Sequence, residues 1–375
     1  MQPPRSILIV RLSAIGDVLH TLPVLEALRA AFPQARIGWI VEELSAPLLD
    51  GHPALDKLYV IPKKRWRGNF WRMVGPEIRP FFRQAKADGW DVAIDVHGLT
   101  KSGLVAWASG APLRIGHAGE DGREINKLFT NCRVPPPEGE MPHVVERNLG
   151  LLRALGIQDP YAARGSLHMR PEEVDGARAR LREAGWDGEK GLVALNPGAG
   201  WETKRWSPGR FAEVGAALAA DPGLAPLVVW GPGEEPARDT IAAGLRERGV
   251  QPVVSPRTTL RQLAATLSLC KLFIGGDTGP THMAALLGKP VVGIFGASDS
   301  LRNRPWPRDS GPVLQRRDLP CCPCWNTVCP LAGDERLKCL SGIEASAVVE
   351  AARKALRSRA PQEGGAGSPG GTWSS

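Results

Sequence analysis

The chain has 375 residues, 43% of them apolar, so it is long enough for two domains that each bury a core. Its formal net charge of +8 predicts an acidic partner: a nucleic acid, a membrane surface or a phosphorylated substrate. The aromatic residues do not form with lysine and arginine the kind of platform on which bases stack, which disfavours nucleic acid.

The sequence has no run of about eighteen apolar residues, and its first ten residues carry only one short strand-like run. We therefore expect neither a membrane-spanning helix nor a signal peptide, and we expect a cytoplasmic protein.

The first predicted unit is a buried strand at 7–10, followed by a loop and an amphipathic helix. Proline is tolerated only in the first turn of a helix, so Pro23 places the helix start near Thr21. Asp17 would then lie in the loop at the carboxyl end of the strand, the edge where open parallel sheets bind ligands. The alternative is a loop carboxylate that bonds local backbone amides.

A third predicted strand begins at Lys57 and opens the most basic part of the chain. Between Lys57 and Lys86 nine lysines and arginines face a single acid, Glu77. The large apolar residues among them are Trp66, Phe70, Trp71, Phe81 and Phe82. One-sided charge mixed with large apolar groups favours contact with an anionic membrane surface, and the alternative is a solvated face.

The next predicted strand ends in a polar loop that contains His97 and Lys101. A second polar loop with Arg123 follows, and a helix is predicted from His143 onward. The carboxyl ends of parallel strands meet at one edge of a sheet, so we expect these loops to converge with Asp17.

The second half of the chain repeats the alternation of strands and helices after a charged connection over 158–191. Its first strand ends in a glycine-containing loop with Gly198, Thr203 and Lys204, where the lysine can neutralise phosphate as a point charge. Glu234 follows the next strand. No complete G-x-G-x-x-G follows any strand, which disfavours a nicotinamide or flavin cofactor.

The stretch over 272–296 predicts a strand, a glycine-rich turn, a helix and a second strand. Amides at a helix N-terminus bind anions, so Thr278 and Gly279 are candidates for a phosphate contact, with an ordinary crossover turn as the alternative. Asp277 would repel phosphate, and we expect it to accept from ribose hydroxyls or to cap the helix. His282 is a candidate partner for a diphosphate.

Five of the seven cysteines lie between Cys321 and Cys339. Four thiolates could bind a structural metal, from Cys321, Cys324, Cys329 and Cys339. The second pair is spaced more widely than in a zinc ribbon, and reduced, packed cysteines are the alternative. A closing helix is predicted after this segment, followed by a tail rich in glycine, proline and serine that we expect to be disordered.

Several segments together resemble the bacterial heptosyltransferases. They are IGDVLHTLP from Ile15, WIVEE from Trp39, KRW from Lys64, GLTKS from Gly98, HVVER from His143, NPGAGWETKRW from Asn196 and GDTGPTHMAALLGKP from Gly276. The resemblance covers 7–356. WIVEE and KRW favour the first type of heptosyltransferase in lipopolysaccharide synthesis over the second. The loop at Gly198 departs from some members, which carry hydroxyl side chains there.

The resemblance implies an α/β fold of two Rossmann-like, doubly wound domains that face a cleft, the GT-B arrangement. It assigns 1–165 to an acceptor-binding domain, 166–342 to an ADP-heptose-binding domain, 343–358 to a C-terminal helix that crosses back to the N-terminal domain, and 359–375 to a disordered tail. It also implies heptose transfer from ADP-heptose to a Kdo residue of Kdo-lipid A, with inversion and without a metal or cofactor. The enzyme would work peripherally on the anionic inner face of the inner membrane.

The resemblance also implies roles for single residues. Asp17 would be the general base, and Lys204 would stabilise the leaving ADP. The donor site would comprise Gly198, Thr203, Lys204, Glu234, Asp277, Thr278, Gly279 and His282. The acceptor site would comprise Lys64, Arg65, His97, Lys101 and Arg123. Two alternatives stay open: acceptor specificity of the second or third type, and a membrane-associated nucleotide-binding module without transferase activity.

The basic segment generates a prediction. Replacing Lys63, Lys64, Arg65 and Arg67 together by glutamine should raise the KM for Kdo-lipid A and reduce sedimentation with anionic vesicles. Each basic residue near an anionic surface contributes about 1 kcal/mol, and the attraction weakens with salt. Calorimetry should show nearly unchanged ADP affinity, because the segment lies in the other predicted domain. Unchanged vesicle binding together with an unchanged KM would identify the segment as a solvated face.

Overall fold

The computed structural model describes residues 2–62, 79–119, 122–123, 125–139 and 142–358. Lys64, Arg65 and the predicted tail lie outside these residues. The described chain forms two six-stranded, entirely parallel sheets, one in each half. None of its helices is long and apolar enough to cross a membrane.

The first sheet is built around a fully buried central strand. Its strands are β1 (Ser6–Val10), β2 (Arg36–Glu42), β3 (Lys57–Ile61), β4 (Val92–Asp95), β5 (Leu113–His117) and β6 (Cys132–Val134). Their spatial order is β3-β2-β1-β4-β5-β6. The chain winds outward in opposite directions from β1 and β4, so a crevice opens beyond the carboxyl ends of these two strands.

The helices of the first half are α1 (Ile15–Leu19), α2 (Leu22–Ala31), α3 (Arg79–Ala87), α4 (Thr100–Ala108) and α5 (Val144–Gly150). The predicted helix start is confirmed, because Thr21 is the N-cap of α2 and Pro23 lies in its first turn. The prediction that Asp17 lies in a loop is wrong. Asp17 lies in the short helix α1, where its carboxylate accepts from the Ala14 N–H at 3.3 Å, a contact that stabilises a helix start.

The second sheet repeats the same plan. Its strands are β7 (Gly191–Asn196), β8 (Leu224–Val228), β9 (Val253–Val254), β10 (Cys270–Gly276), β11 (Val291–Phe295) and β12 (Val313–Gln315), in the order β12-β11-β10-β7-β8-β9. Its switch point lies between β10 and β7. The helices are α6 (Pro171–Glu183), α7 (Pro208–Ala219), α8 (Glu235–Glu247), α9 (Leu260–Ser268), α10 (Gly279–Leu286), α11 (Ser300–Asn303), α12 (Lys338–Ser341) and α13 (Ala345–Ser358).

The last helix corrects one expectation. Helix α13 packs on α7, β10 and β11 of the second half, and Val348, Val349, Ala352 and Ala355 belong to the hydrophobic core there. The prediction that this helix crosses back to the first domain is therefore wrong for the described residues. These four side chains recur at helical spacing and form one apolar stripe, which the second half buries completely.

The connection between the halves is held by Glu26 on α2. The three side chains Glu26, His52 and His168 are the only group of potential metal ligands within 4.8 Å of one another in the described ranges. The Ser166 hydroxyl donates to Glu26 and lies 2.9 Å from His168 Nε2, so it occupies the space between them. His52 Nδ1 already accepts from the Ala54 N–H at 3.2 Å. Glu26, Ser166 and the Nδ1 atom of His52 are thus all engaged in hydrogen bonds.

Candidate active site

A cavity of about 340 Å³ lies at the switch point of the first sheet. Of the described residues that line it, one is an acid, Asp17, and five are lysine or arginine. The five cations are Arg11, Lys101, Arg123, Arg147 and Arg302. Arg302 belongs to α11 of the second half, so both halves contribute to the cavity. The structure thus brings together Asp17, His97, Lys101 and Arg123, which the sequence singled out separately.

Asp17 is oriented by an ion pair with Arg11. The guanidinium of Arg11 lies 2.7 Å from the Asp17 carboxylate and also donates to the Val96 carbonyl at 2.8 Å. Arg11 is buried, whereas the Asp17 side chain is 43% exposed. Arg11 therefore holds the Asp17 carboxylate on its buried side, and the carboxylate is open toward the cavity.

His97 presents a neutral ring to the same cavity. Burial, together with the positive charges of Arg11, Lys101 and Arg123, lowers the pKa of His97 to about 2. Its Nδ1 accepts from the Leu12 N–H at 3.3 Å, which places the ring proton on Nε2. His97 can therefore donate a hydrogen bond to a ligand without carrying charge.

The loop that carries His97 is organised by Asp95. This fully buried carboxylate accepts from the backbone N–H groups of His97 and Gly98, from the Ser102 hydroxyl, and from the Asn126 amide at 2.6 Å. Burial raises the pKa of Asp95, although these four donors oppose the increase. Asp95 thus fixes the conformation of the loop that forms this part of the cavity wall.

On the other side of the cleft, Asp277 is 7% exposed and pairs with two residues. Its Oδ2 lies 2.6 Å from Lys204 Nζ, and its Oδ1 lies 3.1 Å from His282 Nε2. Burial acts to raise the pKa of Asp277, but the hydrogen bond from His282 and the charge of Lys204 prevail and lower it. The ammonium group of Lys204 also lies 4.3 Å from the Trp201 ring centroid.

These contacts correct the alternative that Asp277 caps the helix, because Thr278 occupies the N-cap of α10. The predicted contact of Asp277 with ribose stays a prediction. Asp277 lies beside Lys204, where the two neighbouring strands β10 and β7 end.

Gly198 and Glu234 meet in the loops after β7 and β8. A Cβ atom on Gly198 would lie 1.9 Å from Glu234 Oε1, so a side chain there would require the Glu234 carboxylate to move. Glu234 also accepts from the Gly231 N–H at 2.7 Å. Thr203, in contrast, is buried, and its hydroxyl donates to the Asn326 carbonyl. The structure therefore directs the Thr203 hydroxyl toward the cysteine-rich segment.

The cysteines line a separate cavity of about 300 Å³ beside Thr203. The four candidate ligands border it, namely Cys321, Cys324, Cys329 and Cys339. No three of their sulfur atoms lie within 4.8 Å of one another, and all the cysteines are free thiols. A metal site at this segment stays a prediction.

The two halves meet closely next to Asp17. A Cβ atom on Gly279, the first residue of α10, would lie 2.9 Å from Ile15 Cγ2, and one on Gly16 would lie 3.2 Å from His282 Cδ2. Glycine at both positions allows α1 to approach the start of α10. The candidate base therefore immediately follows the residues that contact the candidate phosphate site.

A second contact between the halves is centred on His143, which is fully buried. Its Nδ1 accepts from the Val145 N–H, so Nε2 carries the proton and donates to the Arg304 carbonyl at 2.8 Å. Glu146 forms two hydrogen bonds of 2.8 Å with Arg308. Burial acts to raise the pKa of Glu146, but the hydrogen bonds from Arg308 have the larger effect. The pKa of Glu146 therefore lies below its ordinary value.

Three residues at the contact between the halves were not predicted from the sequence, namely Arg11, Arg302 and His20. Arg11 directly follows β1, so the rule that ligands bind at strand ends could have identified it. His20 lies within the IGDVLHTLP segment, but nothing in its spacing indicates a partner. Arg302 reaches the cavity only because the two halves are packed together.

Comparison with known proteins identifies the family. A family model described as glycosyltransferase family 9 (heptosyltransferase) matches residues 78–333. The chain belongs to this family. Lipopolysaccharide heptosyltransferase 1 of Pseudomonas aeruginosa is 31% identical to it over 340 residues, which are 88% of this chain and 90% of that protein. Lipopolysaccharide heptosyltransferase 3 of Escherichia coli is 29% identical over 296 residues, or 78% and 82% of the two chains.

Solved structures of heptosyltransferases are also similar to this chain. The structure of the E. coli heptosyltransferase WaaC with ADP has a TM-score of 0.70 and 25% identity to this chain, and the match covers 93% of this chain and 99% of that one. The expected α/β fold of two Rossmann-like domains facing a cleft, the GT-B arrangement, is confirmed. This heptosyltransferase is a glycosyltransferase.

The buried His143 predicts a pH dependence of stability. Burial lowers the pKa of His143 from an ordinary value of 6.5 to about 4, so between these pH values the unfolded chain binds a proton that the folded chain does not. The free energy of unfolding should therefore fall as the pH decreases from 6.5 to 4. His143→Gln keeps a donor for the Arg304 carbonyl and should flatten the slope by up to about 1.4 kcal/mol per pH unit. Urea unfolding at several pH values measures it. Equal slopes in the two proteins would contradict the prediction.

Proposed function

We propose that this heptosyltransferase transfers L-glycero-D-manno-heptose from ADP-heptose to a Kdo residue of Kdo-lipid A, in the synthesis of the lipopolysaccharide inner core. Family membership supports heptosyl transfer, and the relatives named for lipopolysaccharide support this class of acceptor. The main support is the position of Asp17. Its exposed carboxylate lies in a cavity rich in cations, and it directly follows Ile15 and Gly16, which pack on the start of α10.

Each domain takes one substrate. Residues 1–165 form the acceptor-binding domain, and residues 166–342 form the donor-binding domain. The similarity to a heptosyltransferase solved with ADP supports binding of this nucleotide by the chain, and we assign it to the second domain. There, Lys204 and the amides at Thr278 and Gly279 bind the diphosphate, and Glu234 and Asp277 bind hydroxyl groups of the sugar nucleotide.

The acceptor binds in the cationic cavity of the first domain. Kdo carries a carboxylate and lipid A carries phosphates, so an anionic acceptor complements the charges of Lys101 and Arg123. His97 adds a neutral donor for a sugar hydroxyl. The net charge of +8 supports peripheral binding to the anionic cytoplasmic face of the inner membrane.

The reaction is a single displacement with inversion. Asp17 accepts the proton of a Kdo hydroxyl while the hydroxyl oxygen forms a bond to the anomeric carbon of heptose, and the bond between that carbon and the ADP oxygen breaks. The leaving diphosphate gains negative charge, which Lys204 and the N-terminal end of α10 stabilise. Asp277 holds the Lys204 ammonium group in place before the donor arrives.

A second candidate function has its own support. The 29% identity to a lipopolysaccharide heptosyltransferase 3 is close to that of the type 1 relative, so another acceptor of the same pathway is the competing proposal. ADP release should be measured with Kdo-lipid A and with heptose-bearing core acceptors. Turnover only with the heptose-bearing acceptors would favour a second- or third-type enzyme, and no turnover with any acceptor would favour a nucleotide-binding module without transferase activity.

Removing the base should stop the transfer without affecting the donor. Asp17→Asn keeps the shape and the contact with Arg11 but cannot accept a proton, so kcat should fall by about a hundredfold to ten-thousandfold. ADP affinity in calorimetry should stay unchanged, because Asp17 belongs to the other domain.

A matched control is Asp50→Asn. Asp50 pairs with Arg170 on the surface at 3.1 Å and does not line the cavity, so its loss should leave kcat within about twofold of wild type. A decrease of less than tenfold in Asp17→Asn would mean that Asp17 is a structural residue.

Substitutions of two lysines should distinguish donor binding from acceptor binding. Lys204→Met removes a charged contact to the diphosphate and should raise the Kd for ADP by about tenfold to a hundredfold. Lys101→Met in the first domain should leave the Kd for ADP unchanged and raise the KM for Kdo-lipid A. Calorimetry and initial rates measure the two effects, and a Lys204→Met protein with wild-type ADP affinity would place the nucleotide elsewhere.

A further inference from the structure

A continuous series of hydrogen bonds crosses from the donor-binding domain to helix α1. Lys204 Nζ donates to Asp277 Oδ2 at 2.6 Å, and His282 Nε2 lies 3.1 Å from Asp277 Oδ1. His282 Nδ1 lies 3.0 Å from His20 Nε2, which belongs to the other domain. His20, Asp277 and His282 are 5%, 7% and 3% exposed, so water does not compete for these bonds.

The ionised carboxylate of Asp277 determines which ring nitrogens in this series carry protons. The ionised carboxylate of Asp277 can only accept, so Nε2 of His282 carries a proton. In a neutral His282 the Nδ1 atom is then an acceptor, and His20 Nε2–H donates to it. Burial, with the nearby rings of His282 and His143, holds the pKa of His20 well below its ordinary value, so His20 is neutral and able to donate.

His20 also lies on the same short helix as the candidate base. It is the C-cap residue of α1, three residues after Asp17, and its backbone N–H donates to the Gly16 carbonyl at 2.9 Å. Helix α1 has only five residues, and a helix of this length is held mainly by tertiary contacts. The bond to His282 is a directional contact of this kind, added to the close approach of Ile15 to Gly279.

We infer that His20 is a positioning residue for heptosyl transfer, which acts through His282. Its single bond to His282 fixes the imidazole that supports Asp277 and Lys204, and it also fixes α1 relative to the start of α10. The distance between the Asp17 carboxylate and the anomeric carbon of the donor would then depend on this bond. The inference rests on the proposed function for its catalytic consequence, but the bond itself can be tested without substrates.

A pair of variants separates hydrogen bonding from packing. His20→Gln places a terminal amide near the position of Nε2 and keeps a polar partner for His282, whereas His20→Leu fills similar space without one. We expect His20→Leu to lower kcat by about tenfold or more, while His20→Gln stays within about threefold of wild type. The Kd for ADP should change less than about threefold in both, because Lys204 keeps its direct bond to Asp277 when His20 is replaced. Equal losses in the two variants, or wild-type kcat in His20→Leu, would overturn the inference.

A double-mutant cycle tests whether His20 acts through His282. In a His282→Leu background, the further loss from His20→Leu should be less than about twofold, because the bond is already absent. Multiplicative losses would mean that His20 supports the fold independently of His282, and would overturn the inference. Thermal unfolding of all four proteins controls for a general loss of stability.

A spectroscopic readout distinguishes failure of this inference from failure of the proposed function. With 15N-labelled histidine, two-bond proton–nitrogen spectra report the tautomer of each of the seven rings in the substrate-free enzyme. We expect the Nε2–H form of His282 in all three proteins, because Asp277 fixes it, and a changed His282 pattern in His20→Leu through a shifted Nδ1 resonance, because that atom loses its hydrogen bond. An unchanged pattern in His20→Leu would overturn the inference even if Asp17 is the base. A changed pattern with retained activity of Asp17→Asn would overturn only the proposed base.

Discussion

The geometry of the site depends on one buried charge. A carboxylate as little exposed as Asp277 is tolerated in a protein interior only when charged or polar partners compensate it. Lys204 and His282 compensate it from the second half of the chain, and His20 completes the series from the first half. These partners come from separate segments. Compensation of a single carboxylate therefore ties the loop that carries Lys204, the start of α10 and helix α1 together.

The fold explains why these segments meet. Both sheets are parallel and wind outward from a switch point, between β1 and β4 in the first sheet and between β10 and β7 in the second. Loops at such points line a crevice beyond the strand ends. Arg11 follows β1 and Asp277 follows β10, so the crevices of the two sheets contribute to one interface. Gly16 and Gly279 allow the close approach that this interface requires.

Charge is distributed in the way that the proposed reaction needs. Among the described residues, five cations and one carboxylate line the cavity of the first half, and in the second half Lys204 lies against Asp277, just before the start of α10. A reaction that expels a diphosphate benefits from positive groups that are already in place, since no reorganisation is then needed as the charge develops. Ion pairs such as Arg11 with Asp17 and Lys204 with Asp277 keep these groups oriented before the substrates bind.

The repeated strand–loop–helix pattern of the sequence was sufficient to predict the fold class, because apolar runs, glycine and proline act locally. The second strand predicted within the 272–296 stretch is present as β11, Val291–Phe295. The placement of Asp17, His97 and Arg123 at one sheet edge also followed from the predicted parallel strands, whose carboxyl ends share an edge. A helix as short as α1 has too few residues to show a period, so its existence was not predicted.

The sequence by itself thus determined the two sheets and the candidate polar residues at their edges, with the exception of Arg11. Tertiary structure alone decided which of these residues meet. Lys204 and Asp277 are 73 positions apart, and His20 and His282 are 262 positions apart. Contacts over such separations depend on how loops and domains pack, and periodicity carries no information about that packing. The same reason explains α13: its apolar stripe required a partner, and only the packed structure selected the second domain over the first.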